Sequence, residues 1–351
     1  MKIKFILTMI VILALSCGLY ANKPYRVGTT AANFLEMGIG SAANAMGEAY
    51  VAAARDLSSA YWNAAGLAFM ESNEVQFSYQ PWVADINVGF IAGGVVLPRV
   101  GTLAMSVTSM NYGRTGVTTL DMQEGTGETF LAAEYAASFS YSRKLAQWFA
   151  FGASAKYIVS NIWHMKAQAM AMDLGVLVNT HFLAFDGNRE NGLTIGMSIS
   201  NYGTRMRYDG MDLLRPIDIL PNANGNYKDV EGQFRLQQWE LPLILRLGVA
   251  VRPIVTTSQK LTVAIDALHP NNNSESINLG AEYGYLIPGA GHFFVRAGYR
   301  GYYMDESEYG MTYGAGFHLT MLGNNLLKMD YAYKSVGLLG YSSIFTLGVT
   351  F

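Results

Sequence analysis

From about Glu74 onward, apolar and polar residues alternate with a period of two. Between Leu241 and Arg252 the odd positions are Leu241, Leu243, Leu245, Leu247, Val249 and Val251. The even positions are Pro242, Ile244, Arg246, Gly248, Ala250 and Arg252. Such alternation gives a β-strand one apolar face and one polar or small face. Pro242 is tolerable at the start of the strand, where a ladder hydrogen bond is not required. The same rhythm sets Tyr309, Met311, Tyr313, Ala315, Phe317, Leu319 and Met321 against Gly310, Thr312, Gly314, Gly316, His318 and Thr320. It continues through Leu327 to Lys334, and it places Phe345, Leu347, Val349 and Phe351 opposite Thr346, Gly348 and Thr350.

About fourteen such segments are predicted, at 74–80, 86–97, 102–112, 129–143, 147–160, 168–180, 192–202, 239–252, 260–269, 275–286, 292–303, 309–322, 325–335 and 341–351. Two features turn the apolar face outward, to lipid. Lys156, Asp173, Arg246, Asp266, Glu282, Arg296, Arg300, Lys328 and Asp330 all fall on the non-apolar parity, among many glycines. The segments are also longer than the five or six residues usual in soluble sheets. The expected fold class is therefore all-β: a transmembrane antiparallel β-barrel of about 14 strands with a short N-terminal helical plug.

Loop lengths agree. Links after even strands are mostly short, as at 98–101, 144–146, 287–291 and Gly323–Asn324, although 182–191 and Pro253 to Gln259 are longer. The long links, Gly113–Glu128 and Gly203–Gln238, both follow odd strands, which puts the short turns in the periplasm. The closing SSIFTLGVTF alternates and finishes on Phe351, a form that barrel-assembly machinery reads. Trp82, Tyr112, Trp148, Trp163, Tyr202, Trp239, Tyr302 and Tyr303 lie near strand ends and suit aromatic girdles.

Composition narrows the function. Of 351 residues, 51% are hydrophobic and only 14% charged, and the net charge of −2 gives no basis for binding nucleic acid. Residues 1–21 combine Lys2 and Lys4 with an apolar run and small residues, the pattern of a signal peptide cleaved after Ala21. The rival lipoprotein signal at Cys17 lacks the leucine expected three residues earlier. Cys17 is the only cysteine, which leaves none for disulfides or metal thiolates in the body of the protein. The predicted organisation is a leader over 1–21, a plug segment over 22–73 and a barrel over 74–351.

Candidate chemistry is sparse. Gly38-Ile-Gly40-Ser-Ala-Ala43 has glycine spacing like a dinucleotide loop but lacks a preceding strand. His164, His181, His269, His292 and His318 are scattered without metal-ligand spacing, and no serine is placed to partner them, so neither a metal site nor a catalytic residue is expected. The lumen charges Lys156, Arg246, Asp266, Glu282, Arg296, Lys328 and Asp330 are expected to form cross-strand ion pairs, with guidance of a solute as the alternative. The loop 203–238 mixes charges with Met206, Met211, Leu213, Leu214, Ile217, Ile219 and Leu220, which suits self-packing, folding over the barrel or docking a partner.

Ahead of the barrel, GSAANAMGEAYVAAARDLSSAYWNAAGLAFM has a helical pattern around Ala42–Ala54, and Asp56 or Ser58 could cap a second short turn. It has too few large apolar residues to make its own core and is expected in the lumen near the periplasmic end. This run resembles the N-terminal signature of the PorV/PorQ family, relatives of the FadL-like barrels. The matching positions are Asn44 to Ala53, including Met46 and Gly47, then Asp56, Ala60, Tyr61, Trp62, Asn63, Ala65, Gly66 and Leu67. Ala64 stands where the family has proline. The resemblance implies a fourteen-stranded FadL-like barrel without cofactors, surrounded by outer-membrane lipid. It implies partners in type IX secretion: the translocon barrel, and secreted proteins with C-terminal sorting domains that the protein would bind and shuttle. The alternative is FadL-like transport of hydrophobic small molecules.

Overall fold

The computed structural model describes residues 26–222, 230–321 and 325–351. The predicted signal peptide and the Gly323–Asn324 turn lie outside the described residues. The strands of the first half are β1 (Glu74–Pro81), β2 (Asn87–Leu97), β3 (Gly101–Gly116), β4 (Thr129–Ala146), β5 (Phe149–Ile162), β6 (Met165–Asn179) and β7 (Thr194–Gly203). Three short strands follow within one loop: β8 (Tyr208–Gly210), β9 (Leu214–Ile217) and β10 (Val230–Gln233). The second half comprises β11 (Ile244–Val255), β12 (Gln259–Pro270), β13 (Ser276–Ile287), β14 (Gly291–Tyr302), β15 (Met311–Thr320), β16 (Leu326–Ser335) and β17 (Tyr341–Thr350).

Among the described residues, β1–β7 and β11–β17 make a closed antiparallel barrel of 14 strands. The seam pairs β1 with β17, from Glu74 opposite Thr350 to Tyr79 opposite Phe345, while β7 pairs with β11 across the loop. The alternation is inverted relative to a water-soluble sheet. On β1, Phe77 is 47% exposed while its neighbour Gln76 is 4% exposed. A continuous belt of exposed Val, Ile, Leu, Phe and Tyr around the wall is stable only against lipid. Among the described residues no helix is long and apolar enough to cross a membrane.

Short turns at 98–100, 147–148, 256–258 and 288–290 mark one end, and the links 117–128 and 204–243 mark the other. The expected long link from Pro253 to Gln259 shrinks, because β11 continues to Val255. The register shifts between Val251 and Ile254, so Arg252 and Pro253 form a bulge in which the proline needs no ladder bond. At its other end β11 begins at Ile244 rather than 239. Trp239 instead exchanges two main-chain hydrogen bonds with Met206, and Glu240 bridges Thr30. Two of the expected girdle residues are drawn away from lipid: Tyr112 donates to Glu134, and Trp82 lies 5.6 Å from Lys334 Nζ.

The N-terminal segment enters at the long-loop end, where Thr30 meets Glu240, and runs through the barrel to Glu74 at the short-turn end. The helix expected over Ala42–Ala54 is only Ser41–Ala45. Gly47 and Glu48 follow at φ +64° and +66°, two successive left-handed residues that a right-handed helix cannot absorb. A second turn, Ser59–Trp62, forms without a side-chain cap from Asp56 or Ser58 and leads into the 3-10 helix Ala64–Phe69.

Candidate functional site

The plug holds its shape through hydrogen bonds from a few aromatic and amide side chains. Trp62 Nε1 donates to the Ile39 carbonyl at 2.9 Å, and the Tyr61 hydroxyl donates to the Leu35 carbonyl at 3.0 Å. The two rings meet edge-on with centroids 4.9 Å apart. Asn63 serves three backbone groups: its Oδ1 accepts from the Ala65 N–H, and its Nδ2 donates to the Val51 and Val176 carbonyls. Asp56, half-buried, accepts from the Ser58 hydroxyl at 2.6 Å and from the Tyr50 hydroxyl at 3.3 Å. Leu67 is fully buried, and a Cβ on Gly66 would lie 2.4 Å from the Ala54 carbonyl oxygen. Asp56, Tyr61, Trp62, Asn63, Gly66 and Leu67 thus fold the plug on itself.

Met46 and Gly47 seat it against the wall. A Cβ on Gly280 would come within 2.4 Å of the Met46 oxygen, and one on Gly298 within 2.2 Å of the Gly47 nitrogen. Only backbone against backbone fits there. The Gly47 N–H donates to the Thr312 hydroxyl, which itself donates to the Ala45 carbonyl, both at 2.9 Å. Nearby, buried Glu48 takes Arg300 at 3.1 Å and Lys334 at 3.3 Å. Burial would raise the Glu48 carboxyl, but these two cations hold it below the usual 4.5. Ser41 ties the plug to the closing strand, donating to the Ile344 carbonyl and meeting Thr346 Oγ1 at 2.8 Å.

The predicted lumen charges all point inward, and five of them are ion-paired in three groups. Arg296 bridges Glu282 at 2.6 Å and Asp330 at 2.5 Å, and His318 lies 3.2 Å from the same Asp330. Lys328 pairs with Glu74, and Lys156 pairs with Asp173 at 2.6 Å while donating to Asn201. Arg246 and Asp266 stand outside these pairs. Arg246 donates to Ser200 and lies over the rings of Tyr61 and Trp62 at 5.8 and 5.6 Å. Asp266 accepts plug amides instead of a cation. Arg300 and Lys334 were legible only as polar-parity residues and Glu48 only as part of the Asn44–Ala53 run, because their pairing spans hundreds of positions.

Below the plug, a cavity of about 410 Å³ lies at the short-turn end. One wall carries the ion-paired Glu282, Arg296, Asp330 and Lys328, and another carries Arg55, Arg252 and Lys260. On the lipid side of β1–β6 a separate apolar hollow of about 640 Å³ is lined by Ile91, Gly93, Met105, Phe139, Tyr157 and Met170. Around the long loop, Met211 (66%) and Phe234 (62%) are exposed together with Ile219, Leu220 and Trp239.

Residues 20–219 match the family described as "Type IX secretion system protein PorV". The chain belongs to the PorV family. It is accordingly an outer-membrane β-barrel of a type IX secretion family. The matched span covers the whole described plug and β1–β7. No curated protein matches the sequence. Among solved structures, the toluene transporter TodX of Pseudomonas putida is similar at 12% identity, with TM-score 0.53 over 89% of this chain and 96% of that chain. The toluene transporter TbuX of Ralstonia pickettii matches at 10% identity and TM-score 0.52, over 89% of this chain and 97% of that one. The monoaromatic hydrocarbon channel CymD matches at 10% identity and TM-score 0.54, over 89% and 96%. Likeness at such identities establishes the shared barrel fold and nothing about cargo.

Proposed function

We propose that this PorV-family barrel binds and shuttles secreted proteins during type IX secretion, working through its outer surface and long loops while its lumen stays plugged. The observation that carries this reading, beside the family match, is the anchoring of the plug. Asp266, Glu48, Thr312 and Ser41 fasten it to β12, β14, β15, β16 and β17, and charged side chains occupy much of the remaining space. An apolar solute gains nothing from such a lining. The exposed apolar residues around the long loop suit a protein partner better than water. The partners fitting this role are the translocon barrel and secreted proteins with C-terminal sorting domains, in a surround of outer-membrane lipid.

A second reading, passage of hydrophobic small molecules, draws on the apolar hollow beside Gly93. Its lining also includes the inward-facing Ser106, Ser138 and Lys156. Affinity capture from native membranes, paired with gene deletion, separates the two. The secretion role requires co-purification of a very large outer-membrane barrel or of sorted cargo, and loss of secretion on deletion. Intact secretion with lost uptake of a hydrophobic nutrient would transfer the function to the second reading.

A further inference from the structure

Arg55 of the plug and Arg252 of β11 converge on one neutral oxygen. Arg55 Nη2 lies 3.4 Å and Arg252 Nη1 3.1 Å from Thr194 Oγ1. Their other acceptors are also neutral: the Asn179 side-chain oxygen for Arg55 and the Glu190 carbonyl for Arg252. Arg55 also lies 4.6 Å above the Phe69 ring. Lys260, inward-facing near the start of β12, lines the same cavity, and its ammonium has no hydrogen bond or ion pair among the described residues.

Three cations at one end of a lumen, two of them sharing a hydroxyl, repel one another and call for a counter-charge. The nearby carboxylates do not supply it by contact. Glu282 is taken by Arg296 at 2.6 Å, Glu190 is exposed and touches Arg252 only through its main chain, and Asp56 is bonded to hydroxyls. Arg252 is 2% exposed, yet its Nε has no partner, and neither does that of Arg55. Burial, followed by the neighbouring Arg252, pulls the Arg55 guanidinium down to about 9. On the opposite wall the carboxylates Glu282, Asp330 and Glu74 are each already in contact with Arg296 or Lys328, so none of them reaches the three cations.

We propose that Arg55, Arg252 and Lys260 form a phosphate-binding site in the cavity at the short-turn end of the lumen. Two planar guanidinium groups and an ammonium suit the several oxygens of a phosphate. The group arrives from the periplasmic side, either as free phosphate or as the headgroup of a lipid. This inference is independent of the secretion reading, since it concerns the opposite end from the long loops.

Equilibrium dialysis of the detergent-purified full barrel tests it at low ionic strength, with labelled inorganic phosphate and, separately, dihexanoyl phosphatidic acid. Folding of each variant is verified by its heat-dependent mobility in SDS gels. Affinity for at least one probe should fall about tenfold in Arg252→Gln and Lys260→Gln, recover partly in Arg252→Lys, and stay unchanged in Arg205→Gln at the other end. Binding of phosphatidate alone identifies a lipid source, and binding of inorganic phosphate identifies the free anion. Binding of neither probe, or equal losses in Arg205→Gln and Arg252→Gln, would overturn the site.

Discussion

Asp266 on the wall and Tyr50 in the plug are joined by a 2.7 Å hydrogen bond, and the same carboxylate oxygen accepts the Val51 N–H at 2.8 Å. One side chain of β12 therefore satisfies two successive plug amides. Gly248 makes room for it, since a Cβ there would lie 2.3 Å from Asp266 Oδ1. Replacing Asp266 by Ala leaves both amides buried and unpaired, at a cost of about 3 kcal/mol, while Asn keeps one acceptor and should cost less. Ala should raise ion conductance in planar bilayers and expose the plug to protease. Wild-type conductance in Asp266→Ala would show that the plug is held without this carboxylate.

Acid should loosen the plug through Glu48. Its folded pKa is depressed below 4.5 by Arg300 and Lys334 against the opposing effect of burial. The stability it contributes is thus present above the unfolded value and disappears as pH falls through the folded one. Glu36 works in the opposite sense, since burial raises its carboxyl. Glu48→Gln leaves buried Lys334 and half-buried Arg300 without their carboxylate, so it should cost about 3 kcal/mol at neutral pH. It should also flatten the loss of melting temperature between pH 5 and pH 3, measured by intrinsic fluorescence. An acid limb as steep as wild type would assign the effect to another group.

Gly298→Ala should unseat the plug while leaving the barrel closed. The added methyl would stand 2.2 Å from the Gly47 nitrogen and 2.3 Å from the Met46 carbonyl carbon, atoms that cannot move independently of the plug. The expected penalty is about 2 kcal/mol or more. Hydrogen exchange should quicken over residues 41–54 and remain slow in the strands. Unchanged exchange in the plug would mean that the wall yields instead.

Ala64→Pro should be tolerated or mildly stabilising, by about 0.5–1 kcal/mol. Ala64 opens the 3-10 helix, where its N–H has no acceptor in the helix, and Asn63 before it is already extended at φ −161° and ψ 102°. Asn63→Ala should instead cost about 3 kcal/mol, because it removes the partner of three backbone groups. Thermal unfolding of both variants checks the contrast. A strongly destabilised Ala64→Pro would point to a clash with the wall beside Gly175.

Parity made the barrel readable, because lipid and lumen sort side chains as sharply as water and core do, with the sign reversed. It placed Arg296, Lys328 and Asp330 inside before any contact was known. It could not say that Lys328 reaches Glu74, or that Asp266 would serve amides, because those choices depend on register between distant strands. The plug was harder. Alanine-rich sequence around Ala42–Ala54 reads as helix on propensity, but close packing of Gly47 on Gly298 favours two left-handed residues over continued helix. Arg55 and Arg252 escaped notice for the same reason: nothing local signals that two cations lie side by side.

The Ser41–Thr346 contact bears on the order of assembly. It joins the plug to the closing strand across 305 positions, beside the seam where β17 meets β1. Contacts so remote in sequence pay their loop-closure entropy late. The plug, which makes no core of its own, would then settle as the sheet curls around it, and its hydroxyl would help to latch the last strand. A barrel built this way is born already filled.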